Sequence, residues 1–136
     1  MTNYSFVTEK LTLGKSERLK SRKLIEQLFS EGNKFGVTPF RIFYLYKEEK
    51  KMSLQFGVGV SSRNFKKSVD RNRIKRMIRE VYRLQKSVLQ NKLKAKNGEL
   101  NLFVIYTGKE IPVYAEVNIK MNKVLDKLYS IIYPSV

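Results

Sequence analysis

LQFGVGVSSRNFKKSVDRNRIKRMIREV, residues 54–81, holds the change of pattern on which the fold turns. Its first part alternates. Leu54, Phe56, Val58 and Val60 share one face and Gln55, Gly57, Gly59 and Ser61 the other, as in a strand with one buried side. The face with the glycines carries no bulk. Either another part of the chain packs there, or a ligand approaches the backbone closely. The second part repeats at helical spacing, with Ile74, Met77, Ile78 and Val81 on one side. Leu84 and Val88 prolong the stripe, so one long helix is expected from about Lys67 to Gln90.

The pattern extends outward in both directions. Upstream, Ser21 is suited to cap a short helix carrying Leu24, Ile25, Leu28 and Phe29, and Gly32 to end it. Phe40 to Tyr46 is aromatic and rich in strand formers, with Pro39 at its start. Downstream, Asn97-Gly98 breaks the chain, Leu100 to Tyr106 reads as a strand, and Gly108 and Pro112 lead to a last helix. That helix has Val117, Met121, Val124, Leu125, Leu128 and Ile132 on one face. The order helix, strands, helix, strand, helix predicts one compact α+β domain, with a small sheet and about three helices. Met1 to Lys15 lacks periodicity and reads as an N-terminal arm, leaving residues 16–136 as the domain.

Charge narrows the function. The chain of 136 residues has 28 Lys and Arg against 12 acids, a net charge of +16. Such an excess repels itself and is best offset by a polyanion. From Arg63 to Lys96 there are thirteen basic residues and two acids, so the charge is concentrated. With Ile74 set at zero and about 100° per residue, Lys75, Arg76, Arg79 and Arg83 fall opposite the apolar stripe, with Asn72 among them. A solvated face would intersperse acids at i,i+4, whereas Lys75, Arg79 and Arg83 repeat with like charge. Arginine grips phosphates bidentately and stacks on bases, which favours structured RNA over a diffuse attraction, and neither DNA nor a membrane is expected as a partner.

Absences exclude much chemistry. With no Cys and no His, the chain lacks a thiolate nucleophile, a zinc knuckle and the commonest general base. Its two aspartates, Asp70 and Asp126, lie far apart, and the glutamates are scattered. A two-metal nuclease gathers several carboxylates, so a self-sufficient hydrolase is hard to build here. No apolar run approaches the roughly 20 residues of a membrane span. Met1 to Lys10 shows no secretory signal, and a soluble cytoplasmic protein is expected.

Arg71-Asn72-Arg73-Ile74-Lys75-Arg76-Met77-Ile78-Arg79-Glu80 resembles the signature helix of the bacterial ribonuclease P protein component. The likeness extends to Arg18-Leu19-Lys20, taken as the opening of the first helix, to Phe29 and Gly32, and to Gly57 through Ser61. The resemblance implies a β-α-β crossover of left-handed sense within the α+β fold. It implies a monomer bound one to one to a catalytic RNA, which removes the 5′ leader of precursor tRNA using magnesium held by the RNA. No catalytic residue or metal ligand is then expected in the protein. Carried over, Arg71, Asn72, Arg73, Lys75, Arg76 and Arg79 would serve that RNA, with Arg83 continuing the row. Phe29, Phe43 and Arg63 match positions of a leader cleft, where aromatics stack on unpaired bases. Ile25 stands in that cleft where many relatives place Phe, and Phe43 where Tyr is common. Phe29 and Phe43 also have plain core readings. A ribosomal or RNA-chaperone protein is the alternative of another class.

Overall fold

The computed structural model of the protein describes residues 13–48 and 52–132. Most of the expected N-terminal arm therefore lies outside the described residues. Leu13 packs against the main core, and Lys15–Glu17 forms a 3-10 turn.

Helix α1 (Arg22–Glu31) starts as its sequence predicts. The Ser21 hydroxyl accepts from the Leu24 N–H at 3.2 Å, and the Gly32 N–H donates to the Leu28 carbonyl. Arg18-Leu19-Lys20 does not open this helix. It lies extended along a sheet edge, where the Leu19 N–H donates to the Phe56 carbonyl at 2.9 Å. With Ser21 providing the cap, helical backbone begins only at Arg22.

The sheet has four strands in the order β1-β2-β4-β3. They are β1 (Asn33–Val37), β2 (Phe40–Glu48), β3 (Ser53–Val60) and β4 (Gly98–Tyr106). β1 pairs with β2 and β2 with β4 antiparallel, and β3 pairs with β4 parallel. The expected mostly antiparallel sheet is thus present. The parallel pair needs a crossover, supplied by helices α2 (Ser68–Gln85) and α3 (Ser87–Lys96). The sequence does not mark β1, because Asn33 and Gly36 make a five-residue segment look like a turn. Its pairing comes from the β1–β2 hairpin, which turns at Thr38-Pro39.

One side of the sheet is covered by α2, α3 and α4 (Tyr114–Ile132). All six residues predicted for the inner face of the last helix are buried. The expected single helix from Lys67 to Gln90 is instead two, broken at Lys86. The Lys86 side chain is wholly buried and paired with Glu17, so the chain bends where a cation turns inward. The buried stripe also sits to one side of the expected one. Tyr82 is buried and stacks on Phe56 at 3.8 Å and 5°, whereas Leu84 and Val88 are exposed. Beyond the break Leu89 and Leu93 carry the packing. The other side of the sheet is covered only in part, by α1, through a smaller cluster of Leu19, Leu28 and Phe43.

Candidate nucleic-acid interface

Two surfaces bring the predicted site residues together, one on α2 and one between α1 and the sheet. On α2 the apolar face holds the helix to β3, which leaves the cations outside. Asn72, Arg73, Arg76 and Arg79 are exposed, and Arg71, Lys75 and Arg83 are half-buried.

These cations are not equivalent. The Arg71 Nη1 donates to the carbonyls of Phe65 (2.6 Å) and Lys66 (3.0 Å), so Arg71 ties the loop before α2 to the helix. Arg83 is held by Glu80 through two bonds of 2.9 Å, which offsets the like-charge repeat along the helix. Arg76 and Arg79 make no side-chain hydrogen bond or ion pair among the described residues. With Arg18, Arg83, Glu80 and Leu13 they line a groove of about 390 Å³. Partial burial and then the charge of Arg18 hold the Arg79 guanidinium below its ordinary pKa. It stays protonated near neutrality. A groove in which guanidiniums crowd one another is stabilised by an anion entering it.

On the other surface, Phe43 and Phe103 face each other across β2 and β4, and Gly57 lies beside Phe103 on β3. A Cβ on Gly57 would stand 2.7 Å from the Phe103 ring, and one on Gly59 3.1 Å. The bare face of β3 is therefore filled from within, by a neighbouring strand's aromatic ring. The sequence alone does not place Phe103 there, because strand register is not written in it. Phe29 leans from α1 onto both rings, 4.8 Å from Phe43 and 5.3 Å from Phe103. Of the predicted cleft aromatics, Phe43 is only 8% exposed and Phe29 is 43% exposed. Phe29 thus has a free face, while Phe43 supports it from below. Ile25 is half-buried in the same cluster.

Beyond the edge of α1 the sheet face stays open. Lys34 lies opposite Phe43, and exposed Arg41 lies between Gly36 and Ile105. Both are cations beside aromatic and aliphatic surface, and neither was predicted. Arg63 is exposed in the loop after β3. That loop is fixed by Asn64, which donates to the Thr107 and Gly108 carbonyls, and by buried Phe65. Among the described residues no three His, Cys, Asp or Glu side chains gather as a metal site. None of the described helices is long and apolar enough to cross a membrane.

Comparison with known proteins decides the family. The profile of the family Ribonuclease P matches residues 13–129. The chain belongs to the ribonuclease P protein family. The ribonuclease P protein component of Porphyromonas gingivalis is 35% identical over 117 residues, 85% of each chain. That of Dictyoglomus turgidum is 30% identical over 117 residues, 86% of this chain and 87% of its own. The Staphylococcus aureus RNase P protein superposes with a TM-score of 0.66 over 84% of this chain and 96% of its own. At 21% identity it shows the shared fold. Membership in the ribonuclease P family carries the role of accessory protein subunit in a bacterial ribonucleoprotein endoribonuclease that processes tRNA, and a partnership with its RNA subunit.

Proposed function

We propose that α2 docks the chain, as a monomer, on one copy of the catalytic RNA while the α1–sheet cleft takes the 5′ leader of precursor tRNA. The observation that carries this reading is the division of the surface. Among the described residues Arg76 and Arg79 are cations without acidic partners on one helix, and Phe29 is an aromatic ring with a free face in a separate cleft. The first suits the phosphates of a folded RNA, and the second an unpaired base. Asn72, Arg73 and Lys75 extend the docking face. Arg71 acts there by fixing the loop that carries Arg63, and Arg83 through its pair with Glu80. Lys34 and Arg41 offer charge along the path of an extended strand.

Magnesium belongs to the RNA in this account. Beside the groove, Glu80 is engaged by Arg83 and Glu17 by Lys86, and Asp70 is the one other acid on α2. The described residues therefore do not gather the several carboxylates a resident divalent ion needs. The protein lowers the repulsion between the leader and the RNA phosphates, which favours binding of both substrate and ion. The reaction takes place in the cytoplasm.

The test is cleavage of a precursor tRNA at low magnesium by a bacterial catalytic RNA, with the chain, without it, and with the chain alone. Stimulation by the chain together with inactivity of the chain alone is expected. Tight RNA binding without stimulation would replace this reading with a ribosomal or RNA-chaperone role.

A further inference from the structure

The segment Leu13–Arg18 lies against the break between α2 and α3, held by a carboxylate used on both oxygens. Glu17 Oε1 accepts from the Lys86 ammonium and from Gln90 Nε2 (3.2 Å), and Oε2 accepts from the Gly14 N–H (3.2 Å). On the same side of Arg18, Gln55 Nε2 donates to the Ser16 carbonyl at 3.3 Å; on the other side, the Leu19 N–H is bonded to the Phe56 carbonyl of β3. Arg18 itself donates through Nε to the Leu13 carbonyl at 3.2 Å. Its backbone is therefore fixed from both sides, and its guanidinium lines the groove with Arg76, Arg79 and Arg83.

Two features need explaining. A wholly buried lysine paired with a carboxylate that is 18% exposed is an expensive way to join two segments, because desolvating the charges cancels much of their attraction. An apolar pair of the same size would hold the segments at least as firmly. The segment also brings Arg18 up to Arg79, where the two cations repel each other. Hydrogen bonds from Lys86, Gln90 and Gly14 define one position for Glu17 and hence for the adjacent Arg18, which greasy contacts would leave free to slide.

We propose that Glu17, Lys86 and Gln90 form a latch that holds Arg18 beside Arg76 and Arg79, completing a three-guanidinium site for phosphodiester groups of the catalytic RNA. Arg18 is a contact residue of this site, and Glu17 and Lys86 are positioning residues. The inference rests on the RNA-docking reading above and adds to it a residue outside α2. Among the described residues the only carboxylate lining the groove, Glu80, is taken by Arg83, so the three other guanidiniums have an anion's place between them.

The experiment measures binding of the full chain to a bacterial catalytic RNA across a salt series. Arg18→Ala is expected to weaken binding by roughly tenfold, as for a lost charged hydrogen bond. It should also make the salt dependence shallower by about one phosphate contact. The double variant Glu17→Gln with Lys86→Met keeps the packing volume and removes both charges. It should show the same loss, and adding Arg18→Ala to it should cost nothing more, since both changes disable one contact. If the double variant does not fold, Lys86→Met alone, which takes the ammonium from Glu17 and leaves it the Gln90 and Gly14 bonds, takes its place in the cycle. An unchanged slope for Arg18→Ala, or losses that multiply, would overturn the latch. Failure of the unaltered chain to bind or stimulate the RNA would instead overturn the docking reading.

Discussion

Phe29 and Phe43 have similar sequence credentials and different surroundings. Truncating Phe43, at 8% exposure, opens a cavity between β2, β4 and α1 and should destabilise the fold by about 3–5 kcal/mol. Phe43→Ala should therefore weaken leader binding and RNA assembly together. Phe29→Ala removes an exposed ring and should weaken leader binding while assembly and melting temperature stay close to those of the parent. Comparing binding of precursor and mature tRNA by the assembled complexes separates these outcomes; a leader-specific loss with Phe43→Ala would reverse the two roles. Tyr82 supplies a pH test. Burial first, and the charge of Glu17 second, push its phenol well above the ordinary tyrosine range. The neutral phenol is thus favoured in the folded state, and its contribution is complete below about pH 10, the unfolded value. It declines as pH climbs through the raised folded value. Melting temperature should fall above about pH 10 more steeply for the parent than for Tyr82→Phe; parallel curves would show that Tyr82 is not the group responsible. The sequence offered types and spacings at these positions but not burial. Phe43 and Phe29 looked alike, Tyr82 fell outside the expected apolar stripe, and Lys86 gave no sign that it turns inward.

Strand β3 and helix α2 were legible because alternation and helical spacing depend on nearest neighbours along the chain. The last helix was legible for the same reason. β1, the break at Lys86 and the place of Arg18-Leu19-Lys20 were not. β1 is short and polar and becomes a strand only by pairing with Phe40–Tyr44 across a tight hairpin, while Lys86 and Leu19 depend on partners far away in sequence, Glu17 and Phe56. The glycine face of β3 makes the same point. Its bareness was visible, and the ring that fills it comes from β4. Gly57→Ala would drive a methyl group into Phe103 and should destabilise the protein by about 1–3 kcal/mol. Coupled with Phe103→Ala, the same change should cost far less than it does alone. Additive losses in chemical denaturation would mean that Phe103 does not occupy the space above Gly57.

At the scale of the whole molecule, one helix with two differently used faces organises the protein. The inner face of α2 anchors it to β3, so its outer guanidiniums stand at fixed separations, and the loop tied down by Arg71 links this helix to the edge of the sheet. The opposite side of the sheet, only partly roofed by α1, leaves room for an extended strand beside Phe29. The net charge of +16 is tolerable on this reading because a polyanion neutralises the side where it is concentrated. The basic stripe was the most legible part of the site. Which of its members are free was not, because the pairing of Arg83 with Glu80 and of Arg71 with backbone carbonyls appears only in three dimensions. The most direct measurement is the salt dependence of assembly with a bacterial catalytic RNA for the parent and for the double variant Arg76→Ala with Arg79→Ala. The account predicts a slope shallower by about one for each lost phosphate contact, and hence by about two in all. Two parallel lines, with affinity and slope unchanged, would contradict it.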